Sequence, residues 1–309
     1  MRRRLDALGF VTVEDAAACY GPATRTAVEA FQHRRGLKVD GVCGHQTWNT
    51  LVEAGLSLGD RTLWRRTPML RGDDVAELQQ RLGALGFDTG RVDGIFGRQT
   101  AEALAEFQRN AGLPADGIAG STTVAELHRV QLRNRVPQLV STVRDRERLR
   151  DAPPTMVGRH LAIGESGGLA TTAGALRRKL VAAGARVISL HHPDGSAQAH
   201  EANAVGAEVY IGLRLDPGHA GCSTSFYSGY AYESPGGRRL GELIQSLVPA
   251  ALGVPDEGVT GMSVPVLRET QMPAVIVEVG PASAVVERGP VLADALLRAL
   301  VAWATTSWD

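Results

Sequence analysis

The sequence predicts an α/β domain, a mainly parallel sheet with helices on both faces, preceded by two small all-α three-helix domains. Three observations carry that reading. One unit is written twice within the first 130 residues. From residue 159 onward, short apolar runs alternate with helical patterns, the order that encodes βαβ units. Near the C-terminus, Ala274-Val275-Ile276-Val277 runs into Glu278 and then Val279-Gly280. That is the pattern of a buried parallel strand whose end presents one carboxylate. In open α/β sheets, ligands bind outside the carboxyl ends of the strands, so Glu278 stands where chemistry is expected.

The repeated unit comes first. Gly21, Thr24, Phe31-Gln32, Gly36-Leu37, Asp40-Gly41, Gly44 and Thr47 recur 76 residues later as Gly97, Thr100, Phe107-Gln108, Gly112-Leu113, Asp116-Gly117, Gly120 and Thr123. Upstream, Leu8-Gly9-Phe10 returns as Leu85-Gly86-Phe87, 77 residues on. Each unit reads as a helix closed by glycine (Gly9, Gly86), a loop, and a second helix starting near Thr24 or Thr100, where a threonine suits capping. Ala27, Val28 and Phe31, or Ala103, Leu104 and Phe107, form the buried stripe of that helix. The Asp-Gly pairs make turns before a third short helix. The two domains are expected over residues 1–55 and 69–130. Because the second copy starts its first helix near Asp73 and the first copy meets Met1 a turn too late, repeat one is expected to be truncated at its N-terminus.

Residues 131–158 are charge-dense, with Arg133-Asn134-Arg135 and Arg144-Asp145-Arg146-Glu147-Arg148, and end at Pro153-Pro154. They read as a solvated helical linker. The alternative is a basic face for an acidic partner. The domain expected over 159–309 follows: strands at 160–163, 187–190, 209–214, 224–227 and 274–279, with helices near 172–183, 197–205, 237–247 and 290–304.

Composition excludes several classes. The 33 basic and 33 acidic residues balance, so no field favours nucleic acid. No run of about 18 apolar residues offers a membrane span. Three cysteines without a C-x-x-C pattern suggest neither a disulfide framework nor a zinc cluster. No apolar segment follows the basic start at Arg2-Arg3-Arg4, so a cytoplasmic address is expected.

The motif G-x-x-T-x-x-A-x-x-x-F-Q followed by G-L-x-x-D-G-x-x-G-x-x-T resembles the PG_binding_1 peptidoglycan-binding domain across nearly all of residues 1–130. The resemblance implies binding of peptidoglycan or its precursors. Ala202-Asn203, Phe226-Tyr227-Ser228-Gly229, Gly237-Arg238-Arg239-Leu240 and above all the stretch from Val266 to Gly280 resemble the amidase_3 family of zinc-dependent N-acetylmuramoyl-L-alanine amidases. In that family two histidines and a glutamate hold zinc with one position open for water, and a second glutamate acts as general base. Glu278 matches the general base. The first histidine slot is filled by Ser166, with Glu165 beside it as the remnant of the zinc-binding glutamate. The second histidine slot holds Arg214, whose guanidinium has no lone pair for a metal.

The resemblance therefore implies a degenerate site: Glu165, Ser166 and Arg214 in the zinc positions, Glu278 surviving, and no cofactor. Arg214 is expected to pair with Glu278, its charge replacing that of the metal, or to bind an anionic ligand. Asp216-Pro217-Gly218-His219 imitates the family's first zinc loop but follows the wrong strand; a relocated zinc site of His219, His191 and Glu278 is the alternative ligand set. His200 falls on a substituted structural position. Paired repeats with an arginine in the second histidine slot resemble the CwlM group of non-hydrolytic amidase-like regulators. That implies a partner among early peptidoglycan-precursor synthesis enzymes, and phosphorylation control for which the ending at Trp308-Asp309 offers no tail. The alternative is a working zinc amidase targeted by its repeats.

Overall fold

In the computed structural model, which describes residues 1–13, 15–16, 19–131, 140–229 and 232–308, the two halves of the sequence form separate units. One comprises Met1–Arg144 and Tyr230–Tyr232; the other comprises Asp145–Gly229 and Glu233–Asp309. The second unit begins inside the segment read as a linker. Its helix Val140–Asp151 sends Leu149 into the α/β core, where Met156 joins it. Arg133, Asn134 and Arg135 lie outside the described residues.

The first unit holds two three-helix repeats: α1 (Arg2–Ala7), α2 (Pro22–Arg34) and α3 (His45–Glu53), then α4 (Asp73–Ala84), α5 (Arg98–Asn110) and α6 (Ser121–Gln131). Gly9 and Gly86 follow the first helices with φ of 85° and 93°, the left-handed region that L-residues avoid. The expected threonine caps are absent. The N-caps of α2 and α5 are Gly21 and Gly97, with no side-chain cap bond. At α2 the job falls to Asp15, whose carboxylate accepts the N–H groups of Gly21, Ala23 and Thr24.

Three buried glutamines explain the repeat more directly than its helices do. Gln108 on α5 donates to Asp116 Oδ1 (2.9 Å), Ile118 O (3.0 Å) and Thr123 Oγ1 (3.1 Å), and accepts from Gly117 N (2.9 Å). Gln32 makes the matching set with Asp40, Gly41, Val42 and Thr47. Gln79 on α4 makes it again with Asp93, Gly94, Ile95 and Thr100. Each amide thus pins an Asp-Gly turn to the helix after it, satisfying polar groups that water cannot reach. The Ile118 N–H, and then Gln108, hold the Asp116 carboxyl below its usual range. At the fourth junction, between α1 and α2, the glutamine is replaced by Arg2, which donates to Thr12 O, Asp15 O and Ala16 O. The segment between the repeats folds back onto the second one. Leu58, Leu63 and Leu70 join the core of Leu78, Leu82, Phe96 and Phe107, and Leu63 exchanges both backbone hydrogen bonds with Ala119, at 3.2 and 2.8 Å.

In the second unit α7 (Val140–Asp151) leads to β1 (His160–Glu165), α8 (Ala170–Ala182), β2 (Arg186–Leu190), α9 (Gly195–Ala204), β3 (Val209–Leu215) and β4 (Gly221–Tyr227). There follow α10 (Pro235–Leu252), β5 (Asp256–Met262), α11 (Pro265–Glu269), β6 (Ala274–Gly280) and α12 (Ala282–Ala304). The sheet order is β2-β1-β3-β6-β4-β5. All pairs are parallel except β4 with β6. Side chains alternate between faces. Leu161, Ile163, Ile211, Leu213, Val275, Val277 and Val279 point to one side, into a cluster with Leu176 of α8, Ile244 of α10 and Leu296 of α12. The other face carries Tyr210, Ile276, Arg214 and Glu278, covered in part by α9 and α11. There Tyr210 donates to Gln198 Oε1, and Asn203 ties α9 to the entry of β6 through Glu269 O and Gln271 N. The last helix starts eight residues before Pro290 and is kinked at Arg288, so Pro290 heads its second segment.

Candidate active site

Arg214 and Glu278 are register partners near the C-terminal ends of neighbouring parallel strands β3 and β6. Facing partners on one side of a sheet lie within side-chain reach, and here the Arg214 Nη1 to Glu278 Oε2 distance is 3.6 Å. That is an ion pair beyond hydrogen-bond length. Both groups see solvent, at 48% and 30% exposure, so the pair itself contributes at most about 1 kcal/mol. On the other flank of β6, Ser223 of β4 stands opposite Glu278. The site thus offers a cation, a carboxylate and a hydroxyl on one half-open face. Beneath it, burial pushes the Tyr210 phenol upward and keeps it protonated.

Glu165 is elsewhere. It follows Ile163 by two residues and so belongs to the α8 side of the sheet, opposite Arg214 and Glu278. Its buried carboxylate accepts from Gly167 N at 2.7 Å and Leu169 N at 2.9 Å, closing the loop that opens α8. His191 Nδ1 approaches its second oxygen at 3.8 Å. Ser166 is exposed in that loop. Of the three residues read as remnants of zinc positions, Glu165 is therefore turned away from Arg214.

The 216–219 stretch has its own task. His219 contacts Glu257 at the start of β5, which raises the imidazole pKa above its ordinary 6.5. Asp216 N donates to Val279 O at 2.9 Å. Asp216 O and His219 O close on Gly280 so tightly that a Cβ there meets each at 2.1 Å. His191, His192 and His200 are all exposed; His192 Nδ1 accepts from Asp194 N.

A zinc ion of the kind the amidase_3 resemblance implies does not fit these residues. Where that resemblance puts one ligand stands a guanidinium, which has no lone pair for a metal and faces Glu278. Glu165 is committed to backbone amides on the far face. The alternative set of His219, His191 and Glu278 is not assembled either: among the described residues no group of three or more His, Cys, Asp or Glu is placed to hold a metal. Sequence reading did not single out Ser223 or Gly280. Ser223 alternates with Cys222 and Thr224 in an unremarkable polar strand. Gly280, beside Pro281, offered the signal of a close backbone approach.

Comparison with known proteins adds the following. The peptidoglycan binding domain family model matches residues 1–51 and 71–127, and the N-acetylmuramoyl-L-alanine amidase family model matches residues 162–291. The N-acetylmuramoyl-L-alanine amidase CwlM of Mycobacterium tuberculosis is 37% identical over 285 residues, covering 82% of this chain and 70% of that protein. The amidase CwlL of Bacillus licheniformis is 35% identical over 148 residues, and the chain spans only 41% of its length. A spore cortex-lytic enzyme of Bacillus cereus is 58% identical over 52 residues, 17% of this chain and 20% of that one. Among solved structures, the amidase Ami1 of Mycobacterium smegmatis aligns with 48% of this chain and 98% of its own, at 17% identity and a TM-score of 0.43. Among the described residues no helix is long and apolar enough to cross a membrane.

Proposed function

Because the chain belongs to the N-acetylmuramoyl-L-alanine amidase family that includes CwlM, we propose that it acts by binding rather than by hydrolysis. In this reading it is an amidase-fold regulator of peptidoglycan synthesis that engages peptidoglycan or its precursors, and an early precursor-synthesis enzyme as partner. The observation that carries the reading is Arg214, 3.6 Å from Glu278. A fixed positive charge faces the carboxylate that, in a working amidase, takes a proton from metal-bound water. With no donor set for the metal there, Glu278 has no activated water to deprotonate. The two repeats support the wall-binding half, since both carry the peptidoglycan binding domain pattern. Three free thiols suit a reducing compartment such as the cytoplasm.

A second reading, a zinc amidase, is favoured by one feature: Glu278 remains in place and reachable, 30% exposed at its strand end. Zinc content of the purified full chain after dialysis, with muropeptide amide hydrolysis and retention on insoluble peptidoglycan measured on the same sample, separates the two. Retention without stoichiometric zinc or cleavage is the expected result. About one zinc per chain, with cleavage abolished by Glu278→Ala, overturns the binding reading in favour of the amidase.

A further inference from the structure

The charged groups at the Arg214 end of the sheet differ in whether the protein already holds them. Gly221 is the register partner of Gly280, and Ser223 that of Glu278, so both lie on the Glu278 face. The Glu257 carboxylate fills the space into which a Cβ on Gly221 would point, and it is tied to His219. Asp216 is tied to its own turn, its Oδ1 accepting from Gly218 N at 3.0 Å. Arg214, Glu278 and Ser223 are different. Among the described residues none of their side chains makes a hydrogen bond. The 3.6 Å ion pair leaves the guanidinium's donors and the carboxylate's oxygens open. The floor beneath them is closed. The next residues inward on that face are Gly212 and Ile276, and the buried Tyr210 ring lies 3.2 Å from where a Cβ on Gly212 would stand. Tyr210 itself gives its hydroxyl to Gln198. An occupant therefore arrives from solvent and meets one open cation and one open anion side by side.

We propose that Arg214, Glu278 and Ser223 bind the zwitterionic end of an amino acid, a carboxylate and an ammonium carried on one carbon. The carboxylate accepts from the Arg214 guanidinium. The ammonium donates to Glu278 and to Ser223 Oγ. An α-amino acid holds its own two charges about 3 Å apart, close to the 3.6 Å between Arg214 Nη1 and Glu278 Oε2, so the two pairs align head to tail. Both ends then form charge-assisted hydrogen bonds, the stronger kind. A lone anion such as phosphate gains Arg214 but is set beside Glu278. A lone ammonium gains Glu278 but is set beside Arg214. Like charges placed together are what rejects a wrong partner. Both groups share a carbon in a free amino acid and at the free end of a diamino dicarboxylic residue within a peptide. The inference rests on the binding reading of the α/β unit and names the group that is bound.

The test titrates the full chain with alanine, propionate, ethylamine and inorganic phosphate, reading NMR shifts of the Arg214 Nε–H and the Ser223 amide. Alanine is expected to give a saturable shift with a millimolar Kd, as suits a ligand of so few atoms. Propionate, ethylamine and phosphate are each expected to bind about 10-fold more weakly or worse, lacking one charged partner. Glu278→Gln is expected to remove the preference, bringing alanine to within about 2-fold of propionate. Arg214→Gln is expected to abolish alanine binding as read at Ser223. Both changes are at solvent-reached side chains, and circular dichroism checks that each variant is folded. A soluble muropeptide with a free diamino dicarboxylic end that binds about 10-fold tighter than alanine places the ligand in the wall peptide; one that binds no tighter places it among free amino acids. No saturable shift up to about 50 mM alanine overturns the proposal. So does phosphate or propionate binding as tightly as alanine, which assigns a simple anion site, or unchanged alanine binding in Arg214→Gln. Zinc content of the same sample keeps two failures apart. Zinc-free protein that ignores alanine overturns this inference and leaves the binding reading standing, whereas stoichiometric zinc overturns both.

Discussion

Replacing Glu165 discriminates a loop-closing carboxylate from a ligand position. In Glu165→Ala, Gly167 N and Leu169 N lose an acceptor now 2.7 and 2.9 Å away. Hydrogen bonds to a charged acceptor contribute about 1.5–3 kcal/mol each. Gly167 is exposed and water replaces its partner, so its loss falls at or below the low end of that range. Leu169 is 1% exposed, and its N–H finds no substitute. The expected cost is therefore about 3 kcal/mol, a large fraction of a domain's stability. Glu165→Gln keeps an oxygen in place without the charge and is expected to cost about 1 kcal/mol. Urea unfolding of the full chain, fitted to the transition of the α/β unit through Trp303 and Trp308, reads both values. A change below about 0.5 kcal/mol in Glu165→Ala refutes the closing role. So does loss of bound zinc from a protein that held it before the substitution.

Three further outcomes are expected. Gln79→Ala removes donors to Asp93, Ile95 and Thr100 and acceptors for two N–H groups at a site 1% exposed; it is expected to cost about 3–4 kcal/mol by denaturant unfolding of the helical unit. The His219 imidazole titrates above 6.5 because Glu257 stabilises its charged form. The stability this adds is complete below the ordinary histidine value and is lost as pH rises through the raised one, so Glu257→Gln is expected to return the His219 midpoint in an NMR titration to near 6.5. Gly280→Ala drives a methyl into two carbonyl oxygens at 2.1 Å, and about 1–3 kcal/mol of destabilisation of the α/β unit is expected by thermal unfolding.

Much of this was legible in the residues. The helical repeats announced themselves through Gly, Phe and Asp-Gly at a fixed interval, because glycine turns and a core aromatic leave little choice of residue. Arg214 and Glu278 could be placed at strand ends because apolar runs lead into both; that the two strands are neighbours was implied by the amidase_3 resemblance. Other parts were silent. β5 reads Asp-Glu-Gly-Val-Thr-Gly-Met, an edge strand with two glycines and no apolar run. The first turns of α12 were missed because Pro290 looked like a start when it heads the second segment of a kinked helix. The side of the sheet that Glu165 faces depends on strand register, which a one-residue slip inverts. Two of the three pinning glutamines were visible as Phe-Gln before Asp-Gly and the third, Gln79, follows Leu78; that the amide, rather than a threonine cap, holds the turn depends on where the side chain reaches, which spacing does not tell.

The strand order has a consequence for how the α/β unit comes together. β6 lies between β3 and β4, yet it is made last of the three, and residues 216–220 must span its end to join its two neighbours. Until β6 arrives, β3 and β4 flank a gap of roughly 10 Å, two strand spacings, with hydrogen-bonding edges on both sides. The end of the central strand is therefore bridged by residues 216–220, and Gly280 is the notch that lets it lie under Asp216 and His219. A ribosome that has not yet released residue 280 holds a sheet in two open halves, the state in which stray strands and chaperones compete for the vacant centre.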